Sequence, residues 1–122
     1  MVKLVYCVRR KAGMTREEFQ ARWLDVHGPL ALSLREQLPM MKRYVQSHTI
    51  AQEVNDGFRA QRGTGEEYDG ITEMWLGSLE DLTADVGPDA ATAMQSLYED
   101  EFDFIDFARS ALFITEEKEI FG

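Results

Sequence analysis

The chain has 122 residues, of which 44% are hydrophobic, and its 22 acidic and 13 basic residues give a formal net charge of −9. This length and hydrophobic content fit one domain with its own core, spanning residues 1–122. The negative charge, with no basic stripe to offset it, argues against partners such as nucleic acid or an anionic membrane surface.

The cellular compartment is indicated by the cysteine content and by the N-terminus. Cys7 is the only cysteine, so an internal disulfide is excluded. No apolar run approaches the roughly 20 residues that span a membrane. The N-terminal stretch MVKLVYCVRRK places its charges after its apolar residues, unlike a secretory signal. We therefore expect a cytoplasmic protein in which Cys7 is packed rather than reactive.

The first elements are a strand and a helix with a clear start. Residues 2–9, VKLVYCVR, have the composition of a β-strand. Thr15 and Glu18 have the spacing of a helix capping box, and Met14 and Phe19 that of a hydrophobic staple. Core residues are predicted along the following helical stretch at Phe19, Trp23, Val26, Leu30, Leu34 and Leu38.

That helical stretch is interrupted after His27 by two helix-breaking residues, Gly28 and Pro29. Proline lacks an N–H and crowds the carbonyl four residues back, and glycine readily takes the left-handed conformation that ends helices. We therefore expect the first helix to end at His27, where the helix C-terminus would favour a protonated imidazole. His27 would then either face the mouth of a cavity or bond the loose carbonyls at the break.

The remaining chain supplies three strands and a second broken helix. Strands are predicted by composition and alternation at residues 41–50, 69–77 and 109–116. Residues 51–68 show no regular pattern, and so long a connection would be a functional lid. Gly87 and Pro88 restart the second helix. Its predicted buried stripe consists of Ala91, Met94, Tyr98, Phe102 and Ile105.

This order of elements predicts an α+β, ferredoxin-like βαββαβ fold with a four-stranded antiparallel sheet and helices on one face. The predicted strands are apolar on both faces, although an antiparallel sheet with one solvated face should alternate with polar residues. Burying the second face contributes roughly 25 cal/mol per Å² of apolar area. We therefore predict a homodimer that forms by sheet-to-sheet packing and encloses a space.

The run KLVYCVRRKAGMTREEFQARWLDVHGPL, followed by RYVQSH and DGITEMW, resembles the EthD-like family of the dimeric α+β barrel superfamily. Its most specific part is W-x-x-x-H-G-P-L, from Trp23 to Leu30. The resemblance covers essentially the whole chain and implies a homodimer with a cavity between sheet and helices in each subunit. It implies no single reaction, because relatives include cofactor-independent monooxygenases, polyketide cyclases, lactone isomerases, haem-degrading enzymes and aldoxime dehydratases. EthD-like proteins themselves are associated with ether-degradation operons and fungal polyketide tailoring.

The predicted strand at 41–50 carries the first group of candidate site residues. Tyr44, Gln46 and His48 alternate and share one face. A face that combines aromatic and polar side chains suits a ligand cavity better than a dry core. The alternative is an exposed histidine at the end of a strand.

The predicted strand at 69–77 carries the second group. Ile71, Glu73 and Trp75 alternate with helix-packing residues such as Met74, which directs them into the enclosed space. A carboxylate beside Trp75 would be partly desolvated, which raises its pKa and suits a general acid or base. The alternative is a rim carboxylate paired with Arg43. Tyr6 is a further candidate for the lining.

Metal and cofactor sites have little support in the sequence. The two histidines are too far apart for a metal motif. The acidic run from Glu99 to Glu101, with Asp103 and Asp106, reads either as a metal cluster or, more simply, as the solvated side of a helix. We expect no metal and no cofactor. The resemblance leaves haem open, because a helix histidine ligates it in some relatives.

The function expected from these residues is that of a small cofactor-independent enzyme acting on an apolar, aromatic or polyketide-like metabolite. His48 and Glu73 would exchange protons with the substrate, and Tyr44 and His27 would orient one of its oxygens. Trp75 would supply a stacking wall. The reaction would be a cyclisation, isomerisation, dehydration or oxygenation. The alternative is a non-catalytic protein that carries a hydrophobic ligand for a partner oxygenase.

Overall fold

Four antiparallel strands form one sheet in the order β2-β3-β1-β4, and the computed structural model describes all 122 residues. The strands are β1 (Val2–Val8), β2 (Met41–His48), β3 (Gly70–Leu76) and β4 (Ala111–Glu116). The helices are α1 (Arg16–Arg22), α2 (Gly28–Ser33), α3 (Gln52–Arg62), α4 (Glu80–Thr83) and α5 (Pro88–Glu101). This arrangement confirms the predicted α+β, ferredoxin-like sheet. No helix is both long enough and apolar enough to cross a membrane.

The strand register divides the side chains of the sheet between two faces. Tyr6 pairs with Thr72, and Val5 pairs with Glu73. Because successive side chains alternate and Val8 is in the buried core, Tyr6 and Thr72 lie on the face toward the helices, here called the helix face. The opposite side, called the outer face, consists of Lys3, Val5, Cys7, Arg43, Val45, Ser47, Ile71, Glu73, Trp75, Ala111, Phe113 and Thr115.

The start of α1 follows the local signals in the sequence. The Thr15 hydroxyl accepts a hydrogen bond from the Glu18 N–H at 3.1 Å, and the Glu18 carboxylate accepts one from the Thr15 N–H at 3.0 Å. Met14 packs against the core cluster that contains Phe19. The predicted capping box is therefore confirmed, and the helix begins at Arg16.

The predicted break at His27 is wrong, because the helical path continues through Gly28 into α2. Gly28 has a right-handed conformation with φ of −57°, and its N–H donates to the carbonyl of Trp23. This bond closes a π-helical segment, Trp23–His27, between α1 and α2. Pro29 follows at once. Its missing N–H and its bulky ring are accommodated where the hydrogen-bond ladder is already widened.

The π-helical segment also changes which residues are buried. Phe19, Trp23 and His27 are buried, whereas Val26, predicted to be core, is 48% exposed. The wider turn holds an extra residue, so the inward-facing stripe moves from position 26 to position 27. Leu38 is buried as predicted.

The connection between β2 and β3 was predicted to have no regular structure, but it contains the eleven-residue helix α3. Ala51 enters the helix with φ of 57°, and Gly63 ends it with φ of 65°. None of its residues is buried. Hydrophobic periodicity reports burial, so a solvent-exposed helix of polar residues gives little signal in the sequence.

The helix α5 begins at Pro88 after Gly87, as predicted, but its buried side is shifted by one residue. Ala90 and Ala93 are buried, whereas Met94 and Tyr98 are 44% and 47% exposed. The predicted stripe, which also held the 46% exposed Phe102, is therefore wrong except for the buried Ile105 beyond the helix. Small alanines let the helix approach its neighbours closely and leave the larger apolar side chains on its flank.

Candidate active site

A cavity of about 550 Å³ lies between the helix face of the sheet and α5. Leu4, Tyr6 and Met74 contribute to its wall on the sheet side. Leu97 and Tyr98 contribute from α5. Of its 18 lining residues 15 are hydrophobic, a size and composition that suit a small apolar ligand.

Three polar side chains, Asp81, Glu101 and Ser110, line this cavity. The Asp81 carboxylate accepts a hydrogen bond from the Ser78 N–H at 3.1 Å, and the Ser110 hydroxyl donates to the Asp106 carbonyl at 2.7 Å. Both are therefore already engaged in hydrogen bonds within the chain, Ser110 also with the Arg9 N–H at 3.0 Å. Glu101, at the end of α5, is therefore the carboxyl group of the lining that is the candidate for proton transfer.

Burial raises the pKa of Glu101 from its ordinary value of 4.5 to about 7, against the opposing effect of the neighbouring Tyr6 hydroxyl. The pKa of the Tyr6 hydroxyl is raised by its own burial and by the negative charge of Glu101. A carboxyl group with a pKa near neutrality can both accept and donate a proton. Tyr6 stays protonated beside it and serves as a hydrogen-bond donor.

A second cavity of about 300 Å³ adjoins the first, between α2 and the edge strand β2. Tyr44 lines it, and burial raises the pKa of the Tyr44 hydroxyl. Leu38, Met41 and Leu97 line both cavities. Of the predicted site residues, Tyr6 and Tyr44 therefore reach a cavity, one in each.

Tyr44, Gln46 and His48 share the helix face, as predicted, and form a hydrogen-bonded chain. The Gln46 amide nitrogen donates to the Tyr44 hydroxyl at 3.2 Å, and His48 Nε2 lies 2.9 Å from Gln46 Oε1. Gln46 also donates to the Trp23 carbonyl at 3.0 Å, and the His48 ring stacks on Trp23 at 4.5 Å. Burial lowers the pKa of His48. Gln46 and His48 thus pack against the π-helical segment and line neither cavity.

Glu73, Ile71 and Trp75 lie on the outer face, so the expectation that Glu73 and His48 meet in one space within a subunit is wrong. The alternation of side chains along β2 and β3 places them on opposite sides of the sheet. The Glu73 carboxylate pairs with Lys3 Nζ at 2.7 Å. It is therefore an ion-paired carboxylate, as in the alternative interpretation, with Lys3 in place of the arginine suggested there.

His27 is buried in a charged cluster that links the π-helical segment to the end of α5. Its Nδ1 lies 2.7 Å from Asp100 Oδ2, and Arg22 binds both oxygens of Asp100 at 2.6 and 3.1 Å. Burial lowers the pKa of His27 more than the Asp100 carboxylate raises it. The expectation of a protonated imidazole at a cavity mouth is therefore wrong, as is the alternative of bonds to loose carbonyls. The helix does not end at His27, and α5 covers the ring.

The acidic run at the end of α5 is not a uniformly solvated face, because Asp100 and Glu101 point inward. Asp100 joins the His27 cluster, and Glu101 joins the cavity. No group of three or more histidine, cysteine, aspartate or glutamate side chains is placed to hold a metal ion. One signal in the sequence indicates that Glu101 faces inward. Residues four apart share one face of a helix, and this spacing places Glu101 on the same face as Ala93 and Leu97.

Comparison with solved structures identifies several chains of the same fold. An EthD family protein from Bacillus halodurans is 17% identical with a TM-score of 0.64, covering 97% of this chain and 99% of that chain. A dimeric protein of unknown function and ferredoxin-like fold from Bacteroides fragilis is 11% identical with a TM-score of 0.60, covering 95% of each chain. An EthD-like protein from Ralstonia eutropha is 15% identical with a TM-score of 0.58, covering 94% of this chain and 89% of that chain.

A search of curated proteins finds no match. The family model for the EthD domain matches residues 11–108, which include both histidines, the Asp69-Gly70 strand start and the acidic end of α5. This chain therefore belongs to the EthD domain family.

Proposed function

We propose that this protein is an enzyme that transfers protons on a small apolar metabolite bound in the 550 Å³ cavity. Glu101 is the general acid and base, and Tyr6 is the hydrogen-bond donor beside it. The observation that supports this proposal is a carboxyl group with a pKa of about 7 in an otherwise apolar cavity. Such matching of pKa to the working pH is typical of acid–base catalysts.

The chemistry that suits this pair begins at a carbon next to a carbonyl group. The Glu101 carboxylate takes a proton from that carbon, the electron pair of the C–H bond forms a carbon–carbon double bond, and the π pair of the carbonyl group moves to its oxygen. The Tyr6 hydroxyl stabilises the resulting enolate by donating a hydrogen bond to it. Glu101 then returns the proton, to the same carbon or to another. Isomerisation, cyclisation and dehydration can each start with this step, which needs no cofactor.

In this proposal His27 and His48 position the site rather than touch the substrate. The His27–Asp100–Arg22 cluster fixes the last turn of α5, which carries Glu101. The Tyr44–Gln46–His48 chain fixes the wall of the adjoining cavity. Glu73 and Trp75 are assigned to the outer face and to assembly.

The proposal is tested by following deuterium uptake from D₂O into 2-tetralone, an apolar ketone with acidic C–H bonds, by NMR. We expect the wild type to accelerate exchange, Glu101→Gln to abolish the acceleration and Tyr6→Phe to reduce it. Glu99→Gln, at an exposed position two residues earlier, is the matched control and should exchange as the wild type does. Equal exchange by the wild type and Glu101→Gln would show that Glu101 is not the catalytic base.

A non-catalytic carrier is the second candidate function, and the apolar character of the cavity favours it. The exposed Met94, Tyr98 and Leu112 all line the cavity, so ligands can enter from solvent between α5 and β4. A carrier would bind apolar ketones without accelerating deuterium uptake in any of them. Titration of binding in parallel with the exchange assay distinguishes the two functions.

We also propose that two copies of the chain pack through their outer faces. Val5, Ile71 and Phe113 form an apolar strip on this face, and Ile71 and Phe113 are 37% and 47% exposed. Two charged groups beside the strip, Lys3 and Glu73, neutralise each other within the subunit at 2.7 Å, and the Arg43 guanidinium lies over the Trp75 ring. A solvated antiparallel sheet face is normally polar, so this strip supports a homodimer.

A further inference from the structure

The smaller cavity differs from the larger one in the charge of its lining. None of its ten lining residues is acidic, and three are basic, Arg35, Lys42 and Arg43. Arg43 directs its guanidinium to the outer face, where it lies over the Trp75 ring at 4.6 Å. Arg35 and Lys42 remain as the cations of the smaller cavity.

Neither Arg35 nor Lys42 has a carboxylate partner. Lys42 donates one hydrogen bond, to the Pro39 carbonyl at 3.0 Å, and the Arg35 side chain makes no hydrogen bond within the chain. The chain has 22 acidic residues and 13 basic ones; some arginines elsewhere, such as Arg16 and Arg22, are bound to carboxylates, whereas others, such as Arg62, are not. What distinguishes Arg35 and Lys42 is their position, because they are two unpaired cations at one cavity whose lining contains no acidic residue, and such a lining suits an anionic group of a ligand.

The backbone of β2 brings Lys42 to this position. The pairing of β2 with β3 shifts register between Met41 and Arg43, so that Lys42 is the extra residue of a bulge. A bulge re-aims the side chains around it, and bulges are enriched beside active sites. Here the bulge allows Met41 to line both cavities while the next residue, Lys42, lines only the smaller one.

We infer that the ligand is an amphipathic carboxylate whose head group is bound by Arg35 and Lys42 and whose apolar body extends into the larger cavity. A guanidinium binds a carboxylate through two parallel hydrogen bonds, and an ammonium adds a compact positive charge. The shared side chains Leu38, Met41 and Leu97 then flank the ligand where the cavities adjoin. This inference rests on the proposed function for the role of Glu101, but its claim about binding does not.

The test compares decanoate with decan-1-ol, which has the same apolar body without the charge. Each is used below its micellar concentration to displace the neutral fluorescent reporter N-phenyl-1-naphthylamine from the protein. We expect decanoate to bind at least about tenfold more tightly than the alcohol, as charge-assisted hydrogen bonds give. The preference should weaken as salt concentration rises, because the head group remains close to solvent.

The double variant Arg35→Gln, Lys42→Gln should bind decanoate and the alcohol equally, with its affinity for the alcohol unchanged. Arg62→Gln, which removes an exposed arginine of α3, is the matched charge control and should retain the preference. The inference would be overturned if the wild type bound decanoate and decan-1-ol with equal affinity, or if decanoate did not displace the reporter. It would also be overturned if the double variant still preferred decanoate to the alcohol. Displacement of the reporter by acetate at the same concentrations would also overturn it, since the site would then recognise any small anion.

The result is independent of catalysis by Glu101. Glu101→Gln should keep the preference for decanoate even as it abolishes deuterium exchange. Loss of exchange with a retained preference supports both proposals, whereas a retained preference with unchanged exchange overturns only the catalytic one.

Discussion

Replacing Glu101 with glutamine should make the protein more stable at neutral pH than the wild type and remove one component of its pH dependence. Between pH 4.5 and about 7 the carboxyl group is protonated in the folded protein and ionised in the unfolded chain. Folding therefore takes up one proton in this interval, and stability falls as pH rises. Below pH 4.5 both states bind the proton, and above about 7 neither does, so the effect is confined to this window.

The magnitude follows from the pKa. Each pH unit between 4.5 and about 7 costs about 1.4 kcal/mol, which amounts to about 3 kcal/mol across the interval. Because Glu101 is only partly buried, solvent screening brings the expected difference closer to about 2 kcal/mol. This is a large share of the 5–15 kcal/mol that stabilises a typical domain.

The assay is urea unfolding followed by tryptophan fluorescence, at fixed protein concentration, at several pH values from 4.5 to about 8. The quantity of interest is the free energy of unfolding of Glu101→Gln minus that of the wild type, because other titrating groups cancel in this difference. His27, for example, destabilises the fold as pH falls below 6.5, since burial lowers its pKa. A difference that stays constant over the whole range would refute the argument.

Three further predictions concern the packing at the start of β3, a buried ion pair and the proposed dimer. In Gly70→Ala the added methyl would meet the Trp23 ring and lie 2.7 Å from the Ser47 carbonyl oxygen, so urea unfolding should show a loss of about 2 kcal/mol; Gly57→Ala, with nothing within 4 Å, should be neutral or stabilising. Asp69→Asn should cost about 3 kcal/mol at neutral pH, because it breaks a buried pairing with Arg16 at 2.9 Å. Burial raises the pKa of Asp69, but its hydrogen bonds lower the pKa further, to below the ordinary value of 3.8. The stability lost by Asp69→Asn should therefore shrink only as pH falls below 3.8. A loss of stability that stays unchanged in acid would contradict this prediction. Phe113→Glu should convert a dimer of about 28 kDa into the 14.0 kDa monomer in light scattering, and a monomeric wild type would overturn the proposed assembly.

Much of the fold could be predicted from local signals, because the residues that cause each feature are neighbours in the chain. The capping box of Thr15 and Glu18 fixes the start of α1, and Gly87 with Pro88 fixes that of α5. Alternation along 41–50 and 69–77 located the two strands and showed that Tyr44, Gln46 and His48 share a face. The order of these elements then sufficed for the ferredoxin-like topology.

The site was harder to predict because it depends on how elements are rotated against one another. The run of acidic residues that contains Glu101 predicts a metal cluster or the solvated side of a helix, and the bulky apolar residues of α5 predict an inward side that does not include Glu101. In the fold, two alanines face inward, and the helix turns by one residue to bring them there. That rotation moves Glu101 from solvent into the cavity and raises its pKa.

The sequence by itself determined the four strands, their order and the residues that begin α1 and α5, since these follow from backbone chemistry within one or two turns, but it did not reveal the exposed helix α3. Only the tertiary structure decided that Glu73 and His48 lie on opposite sides of the sheet and that a π-helical turn carries the chain past Pro29. It also placed Glu101 against Tyr6. Strand register and helix rotation are set by packing between distant segments, and no local pattern contains that information.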